Sequence, residues 1–256
     1  MRLAADIALA HRLADAAGAV IRPLFAAGAA VEDKRDGSPV TAADRAAEEA
    51  MRAILERDRP ADSVLGEEWG LRRADGDRLW VLDPIDGTRA FMAGRATFGT
   101  LIALIEDGLP VLGVIDQPIL RDRWVGRLDS EAGTTRNGRP VRVRRCASLA
   151  EARAATTSPR HFSAQGHAVL QRLGAQVADM LFGGDCLNYA LLASGFLDLV
   201  IEEGLALWDW AALVPVVQGA GGVMTDWRGR PLHAGADGQV LAAGDRAVHE
   251  AALARI

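Results

Sequence analysis

The sequence has 256 residues, is half hydrophobic and one-quarter charged, and carries a formal charge of -5. That length allows a large buried core, the composition argues against disorder or a fibre, and the acidic balance argues against a nonspecific nucleic-acid binder, which needs a basic face. The two cysteines, Cys146 and Cys186, show no CxxC or Cys/His spacing, so neither a disulfide framework nor structural zinc is indicated and a reducing compartment fits.

Leu3, Ile7, Ala10, Ala14, Ala17 and Ile21 recur at steps of four and three, which predicts an opening amphipathic helix that stops near Pro23. Asp6, His11, Arg12 and Asp15 interrupt its apolar positions, so no export signal is read and a cytoplasmic location is expected. After a loop from Glu32 to Pro39, Thr41 with Asp44 has the form of a helix start, with Met51, Ile54 and Leu55 on the buried face. Asp44 is then either a capping residue or a neighbour of a metal site.

The runs Ser63 to Leu65 and Leu79 to Leu82 read as buried strands, each leading directly into acidic residues. Thr100 to Ile105 and Val111 to Ile115 read as a hairpin, Trp124 to Leu128 as a further strand, and Asn137-Gly138 as a turn. Arg142, Arg144 and Arg145 alternate with Val141 and Val143, which predicts a strand with one exposed face. From about residue 147 the pattern becomes that of an α/β half: helices near 164–173, 187–194 and 210–218, the last interrupted at Pro215, and strands near 197–201 and 223–227. The expected organisation is two halves, 1–145 and 146–256, packed as one compact unit. The stretch from Ala211 to Met224 is too short and too interrupted to cross a membrane.

Three segments carry candidate chemistry: Gly66-Glu67-Glu68, Asp83-Pro84-Ile85-Asp86-Gly87-Thr88, and Trp208-Asp209. Asp83 and Asp86 follow an apolar strand, with Pro84 restraining the backbone between them. Two carboxylates about 4 Å apart repel by about 4 kcal/mol at an effective dielectric near 20, so a cation is wanted there. Oxygen ligands without histidine or cysteine select Mg²⁺, Mn²⁺ or Ca²⁺ over zinc. Gly87 lets an anion approach the backbone, and Thr88 adds a hydroxyl. The plain alternatives are a surface turn for 83–88 and a helix cap for Asp209.

In this order the three motifs, with Lys34, Thr41 to Asp44 and Ala220-Gly221-Gly222, resemble the inositol monophosphatase family of metal-dependent phosphatases. The resemblance implies an α/β (α+β) fold layered as an αβαβα sandwich, of the inositol monophosphatase and fructose-1,6-bisphosphatase type, and a homodimer. It implies that Glu67, Asp83 and the Ile85 carbonyl hold one Mg²⁺, that Asp83, Asp86 and Asp209 hold a second, and that a third ion uses Glu67, with Mn²⁺ as a substitute. Glu67 and Thr88 would be the catalytic pair that orients and activates a water whose pKa the cation lowers.

Arg89-Ala90-Phe91, Thr97 to Leu104, Gly183-Gly184-Asp185-Cys186 and Ala212 to Pro215 are similar to the histidinol-phosphate phosphatase branch, which implies histidinol phosphate as substrate. Asp86, Gly87, Thr88, Arg89, Asp185 and Glu202 would then bind substrate. Two carboxylates, Asp185 and Glu202, suit the cationic body of histidinol phosphate, where inositol offers only hydroxyls. Asp185 could instead cap the following helix, and Glu202 and Glu203 could simply end a strand. The alternatives are an inositol, sugar or nucleotide phosphatase of the same family and, from another class, a noncatalytic regulatory protein. No nucleic-acid or membrane partner is expected. His11, His161, His167, His233 and His249 show no metal spacing and read as structural or exposed, and Trp69, Trp80 and Trp124 as core or interface.

Overall fold

The computed structural model of the chain describes residues 2–28, 31–33 and 39–256, with residues 2, 31–33 and 39–41 described by backbone alone. Lys34 lies outside the described residues.

The apolar stripe from Leu3 to Ile21 forms α1 (Arg2–Ala27), which runs through Pro23 instead of stopping there. A proline inside a helix removes one backbone hydrogen bond. Ile21 before it and Phe25 after it are anchored in one core, Phe25 with ring centroids 5.3 and 5.2 Å from Phe91 and Phe98, and this packing carries the helix past the proline. Strands β1 (Val31–Asp33) and β2 (Pro39–Thr41) pair antiparallel before α2 (Ala42–Asp58), which begins directly after Thr41, as its sequence suggests.

The next strands are β3 (Ser63–Gly66), β4 (Gly70–Arg72), β5 (Arg78–Asp86), β6 (Gly99–Glu106), β7 (Leu109–Gln117), β8 (Asp122–Arg127), β9 (Gly133–Arg136) and β10 (Arg139–Val141), with the short helix α3 (Thr88–Met92) after β5. They form one eight-stranded sheet in the order β10-β9-β8-β7-β6-β5-β3-β4. Asn137 and Gly138, at φ 49° and 75°, make the tight turn between β9 and β10. The strand expected over Arg142–Arg145 does not form. The Val143 amide donates to the Ala220 carbonyl and the Arg144 guanidinium pairs with Asp198, so this segment is a connection tied to the second half, not a ladder strand.

The second half supplies β11 (Arg153–Thr156), α4 (Ala164–Gly174), β12 (Asp179–Phe182), α5 (Leu187–Ala193), β13 (Leu199–Glu202), α6 (Leu207–Trp210), α7 (Leu213–Gly219), β14 (Val223–Thr225), β15 (Val240–Ala243) and α8 (Arg246–Leu253). Its five-stranded sheet has the order β12-β11-β13-β15-β14. The helix expected across 210–218 is broken at Ala211-Ala212, and Pro215 falls in the first turn of α7, where an amide has no intrahelical partner to lose.

Strand alternation distributes three cores. Trp80, Leu82, Ile102 and Leu104 face α1 and α2, whereas Val81, Leu101 and Ala103 face α5, α6 and α7. Val200 and Ala242 turn toward that same middle helical layer, while Leu199, Ile201, Leu241 and Ala243 face α4 and α8. The layering is therefore αβαβα, as expected. Trp80 and Trp124 are core residues, but Trp69 is not: it is 57% exposed, its indole N–H donating to the Arg45 carbonyl.

Candidate active site

Strands β3 and β5 are parallel neighbours, with Gly66 opposite Leu82, so Glu67 and Asp83 follow at adjacent strand ends. The Glu67 amide donates to the Leu82 carbonyl at 3.2 Å. Behind this loop stands Glu48, on the buried face of α2 with Asp44, Met51 and Leu55. Its carboxylate accepts the amides of Glu68 (2.8 Å) and Trp69 (3.2 Å) and the guanidinium of Arg52 (2.7 Å). Sequence reading missed Glu48; its signal was a glutamate in phase with apolar residues on one helix face.

At the end of β5 the ladder with β6 shifts register between Asp83 and Asp86, so the backbone turns here. Thr100 Oγ1 donates to the Pro84 carbonyl (2.8 Å), the Ile85 amide to Asp83 Oδ1 (3.0 Å) and Thr88 Oγ1 to the Ile85 carbonyl (3.2 Å). Asp86 Oδ2 accepts the Cys186 amide (2.6 Å), and Asp209 Oδ2 accepts the Ala206 amide (2.7 Å) at the start of α6. One backbone amide thus fixes each aspartate. Asp83, Asp86 and Asp209 each bring an oxygen within 4.8 Å of the others.

Burial raises the carboxyl pKa of Asp83 well above its ordinary value, as do the nearby charges of Glu67, Asp86 and Asp209. Asp86 is raised for the same first reason, with Asp185 and Asp209 adding to it. Asp44 adds to the field on Asp83 and is buried at 1% exposure, so it belongs beside the cluster. The set consists of oxygen donors with excess negative charge, which fits a hard divalent cation.

Above the cluster opens a cleft of about 750 Å³ whose lining includes Glu67, Asp86, Gly87, Thr88, Arg89, Asp185 and Asp209. Gly87 has φ 95°, and a Cβ there would stand 2.9 Å from Asp185 Cγ, so only glycine suits the position. Asp185 itself has φ 46°, and burial raises its carboxyl to about 6. Asp185 does not cap α5 with its side chain.

Glu202 is not on the cleft lining. It shares the strand face of Val200, is 1% exposed, and accepts Thr156 Oγ1 (3.1 Å) and the Thr157 amide (2.6 Å). Burial raises it to about 7 against these hydrogen bonds. Its neighbour Glu203 lines the cleft instead, with Thr157, Ser158, Arg160 and His161, none of which the sequence pattern singles out as contacts. Of the other histidines, His249 is buried against Thr225 Oγ1.

A family model described as the inositol monophosphatase family matches residues 3–256. The chain is 47% identical over 255 residues to the "Bifunctional phosphatase IMPL2, chloroplastic" of Arabidopsis thaliana, covering 96% of this chain and 73% of that protein. It is 38% identical over 257 residues to the histidinol-phosphatase of Mycobacterium tuberculosis, covering 98% and 97%. A solved inositol monophosphatase from Zymomonas mobilis superposes with a TM-score of 0.91 at 54% identity, covering 100% of this chain and 98% of that one.

Proposed function

The chain belongs to the inositol monophosphatase family of phosphoric monoester hydrolases, and from that premise we propose that it converts L-histidinol phosphate and water to L-histidinol and phosphate, in histidine biosynthesis. The observation that carries this substrate is Asp185: an anionic group pressed against Gly87, on the cleft wall next to the Asp83–Thr88 loop. A carboxylate there favours the ammonium of histidinol and has no counterpart charge on inositol.

In this reading Glu67, Asp83 and the Ile85 carbonyl hold one Mg²⁺, Asp83, Asp86 and Asp209 a second, with a third at Glu67 and Mn²⁺ able to substitute. Bound there, the cation neutralises the carboxylates, takes phosphate oxygens and makes water more acidic. Thr88, whose hydroxyl hydrogen is committed to the Ile85 carbonyl, offers its oxygen to orient the attacking water, and Glu67 accepts a proton from it. Gly87, Thr88 and Arg89 bind the phosphate end, Gly87 and Thr88 through amides at the start of α3, while Asp86 would act on the substrate's phosphate only through the cation it would hold. Asp185 binds the ammonium, and Glu202 supports the wall from behind. The two halves, 1–145 and 146–256, serve one cleft; in this reading the protein is cytoplasmic, and the resemblance to the family supports a homodimer. Among the described residues no helix is long and apolar enough to cross a membrane.

A second reading, inositol 1-phosphate hydrolysis, is favoured by the 54% identity to the inositol monophosphatase of Zymomonas mobilis. Phosphate release from both substrates with Mg²⁺, against a chelator control, separates them. A higher kcat/KM for histidinol phosphate supports the first, and preference for inositol phosphate replaces it.

A further inference from the structure

Residues 157–163 leave β11, cross the cleft rim as a short 3₁₀ turn over Pro159–His161, and enter α4 at its N-cap, Ser163. This arm is held at both ends by consecutive glutamates, Glu202 at the end of β13 and Glu203 just after it. Glu202 takes the Thr157 amide at one end (2.6 Å). Glu203 takes the Ser163 amide (2.9 Å) and hydroxyl (3.1 Å) at the other, and also the Gln239 side-chain amide (3.2 Å). Glu203 sits so closely on α4 that a Cβ at Gly166 would meet its carboxylate at 1.9 Å. In the middle, the His161 carbonyl lies 3.7 Å from where a Gly204 Cβ would be, so the arm rests on the loop that leads from Glu203 to Asp209.

The arm presents Arg160 and His161 to the cleft that Asp185 also lines, and the Arg89 and Arg160 charges both reach His161. No carboxylate pairs with Arg160 among the described residues. A guanidinium carries five donors and no acceptor, so an unpaired one on a binding wall seeks acceptor atoms on a ligand.

We propose that Arg160 is a specificity-determining residue, donating to acceptor atoms on the part of the substrate beyond the phosphate, and that Glu203 is the positioning residue that sets the arm carrying it. Resting on the histidinol-phosphate reading, the acceptor is a ring nitrogen of the neutral imidazole, while the ammonium goes to Asp185. The class of substrate is a phosphomonoester whose body bears a hydrogen-bond acceptor.

The test is steady-state kinetics of the full-length Mg²⁺ enzyme on histidinol phosphate, inositol 1-phosphate and 2-aminoethyl phosphate, the last keeping phosphate and ammonium but no acceptor in its body. Arg160→Ala should raise KM for histidinol phosphate about tenfold, the effect of losing a hydrogen bond to a charged donor, with kcat within about twofold and 2-aminoethyl phosphate unaffected. Glu203→Gln should raise the same KM and retain the wild-type melting temperature within a few degrees, and Arg160→Ala with Glu203→Gln should be no worse than Arg160→Ala alone. An equal loss on 2-aminoethyl phosphate, an unchanged KM, or additive effects in the double variant overturns the proposal. If the wild-type enzyme turns over inositol 1-phosphate but not histidinol phosphate, the substrate reading fails by itself. The Arg160 assignment is then decided by the same KM comparison on inositol 1-phosphate, whose hydroxyls are acceptors.

Discussion

Asp86 Oδ2 accepts the backbone amide of Cys186 at 2.6 Å, a hydrogen bond across 100 residues of sequence that ties the acidic loop of one sheet to the start of α5. The same contact region sets Asp185 against Gly87, so the acidic cluster and the Asp185 carboxylate on the cleft wall are held by one junction.

Asp86→Asn keeps the acceptor for Cys186 while removing charge from a cluster in which Asp86 is already raised by burial. Mg²⁺-dependent kcat/KM should fall by about a thousandfold or more, a loss of at least ~4 kcal/mol in transition-state stabilisation. Melting without metal should be unchanged or higher. Full activity in phosphate-release assays removes Asp86 from the mechanism.

Stability should depend on pH and on divalent cation together. Burial raises Asp185 to about 6 and Glu202 to about 7, and raises Asp83 and Asp86 in the same direction. The folded state therefore holds these protons more tightly than the unfolded chain. The stability this contributes is complete below unfolded carboxyl values of about 4 and is lost as pH rises through about 6 to 7. In chelator the melting temperature should drop between about pH 5 and pH 8, and Mg²⁺ should restore it at the upper end. A metal-free protein equally stable at both values contradicts the cluster's strain.

Gly87→Ala forces a Cβ to 2.9 Å from Asp185 at φ 95°. The left-handed conformation costs a non-glycine residue about 1 to 2 kcal/mol before the clash is counted. Denaturant unfolding should register at least that loss, with activity reduced as the Asp86–Thr88 turn shifts. Wild-type stability would show that the turn relaxes freely.

Glu48→Ala removes the acceptor of two loop amides and leaves Arg52 without its buried partner. Breaking such an arrangement costs about 3 to 5 kcal/mol. Mg²⁺ affinity by calorimetry should weaken because Glu67 is carried on that loop, and Glu48→Gln should retain more of both. If affinity is untouched, Glu67 is positioned independently of α2.

Asp185→Asn should raise KM for histidinol phosphate by about tenfold or more, since it exchanges a charge-assisted hydrogen bond for a neutral one, while changing inositol 1-phosphate little. Parallel loss on both substrates would assign Asp185 to the cluster rather than to the ammonium.

Sequence alone determined what is local. Period-two and helical patterns gave the principal helices and strands, and the acidic residues directly follow apolar runs that strands bury, so Glu67, Asp83 and Asp86 were legible as strand-end groups. Their meeting required the parallel register of β3 with β5, and Asp209 joined them only because α6 packs between the sheets. Tertiary structure decided the rest. Packing of Phe25 overrode the stop at Pro23, hydrogen bonds to Thr156 and Thr157 buried Glu202 beneath the cleft lining while Glu203, just past β13, reached the lining, and Glu48 and Arg160 gained roles from neighbours far along the chain. Local patterning reports which face a residue takes; what it meets there depends on the pairing of distant segments, which the fold alone supplies.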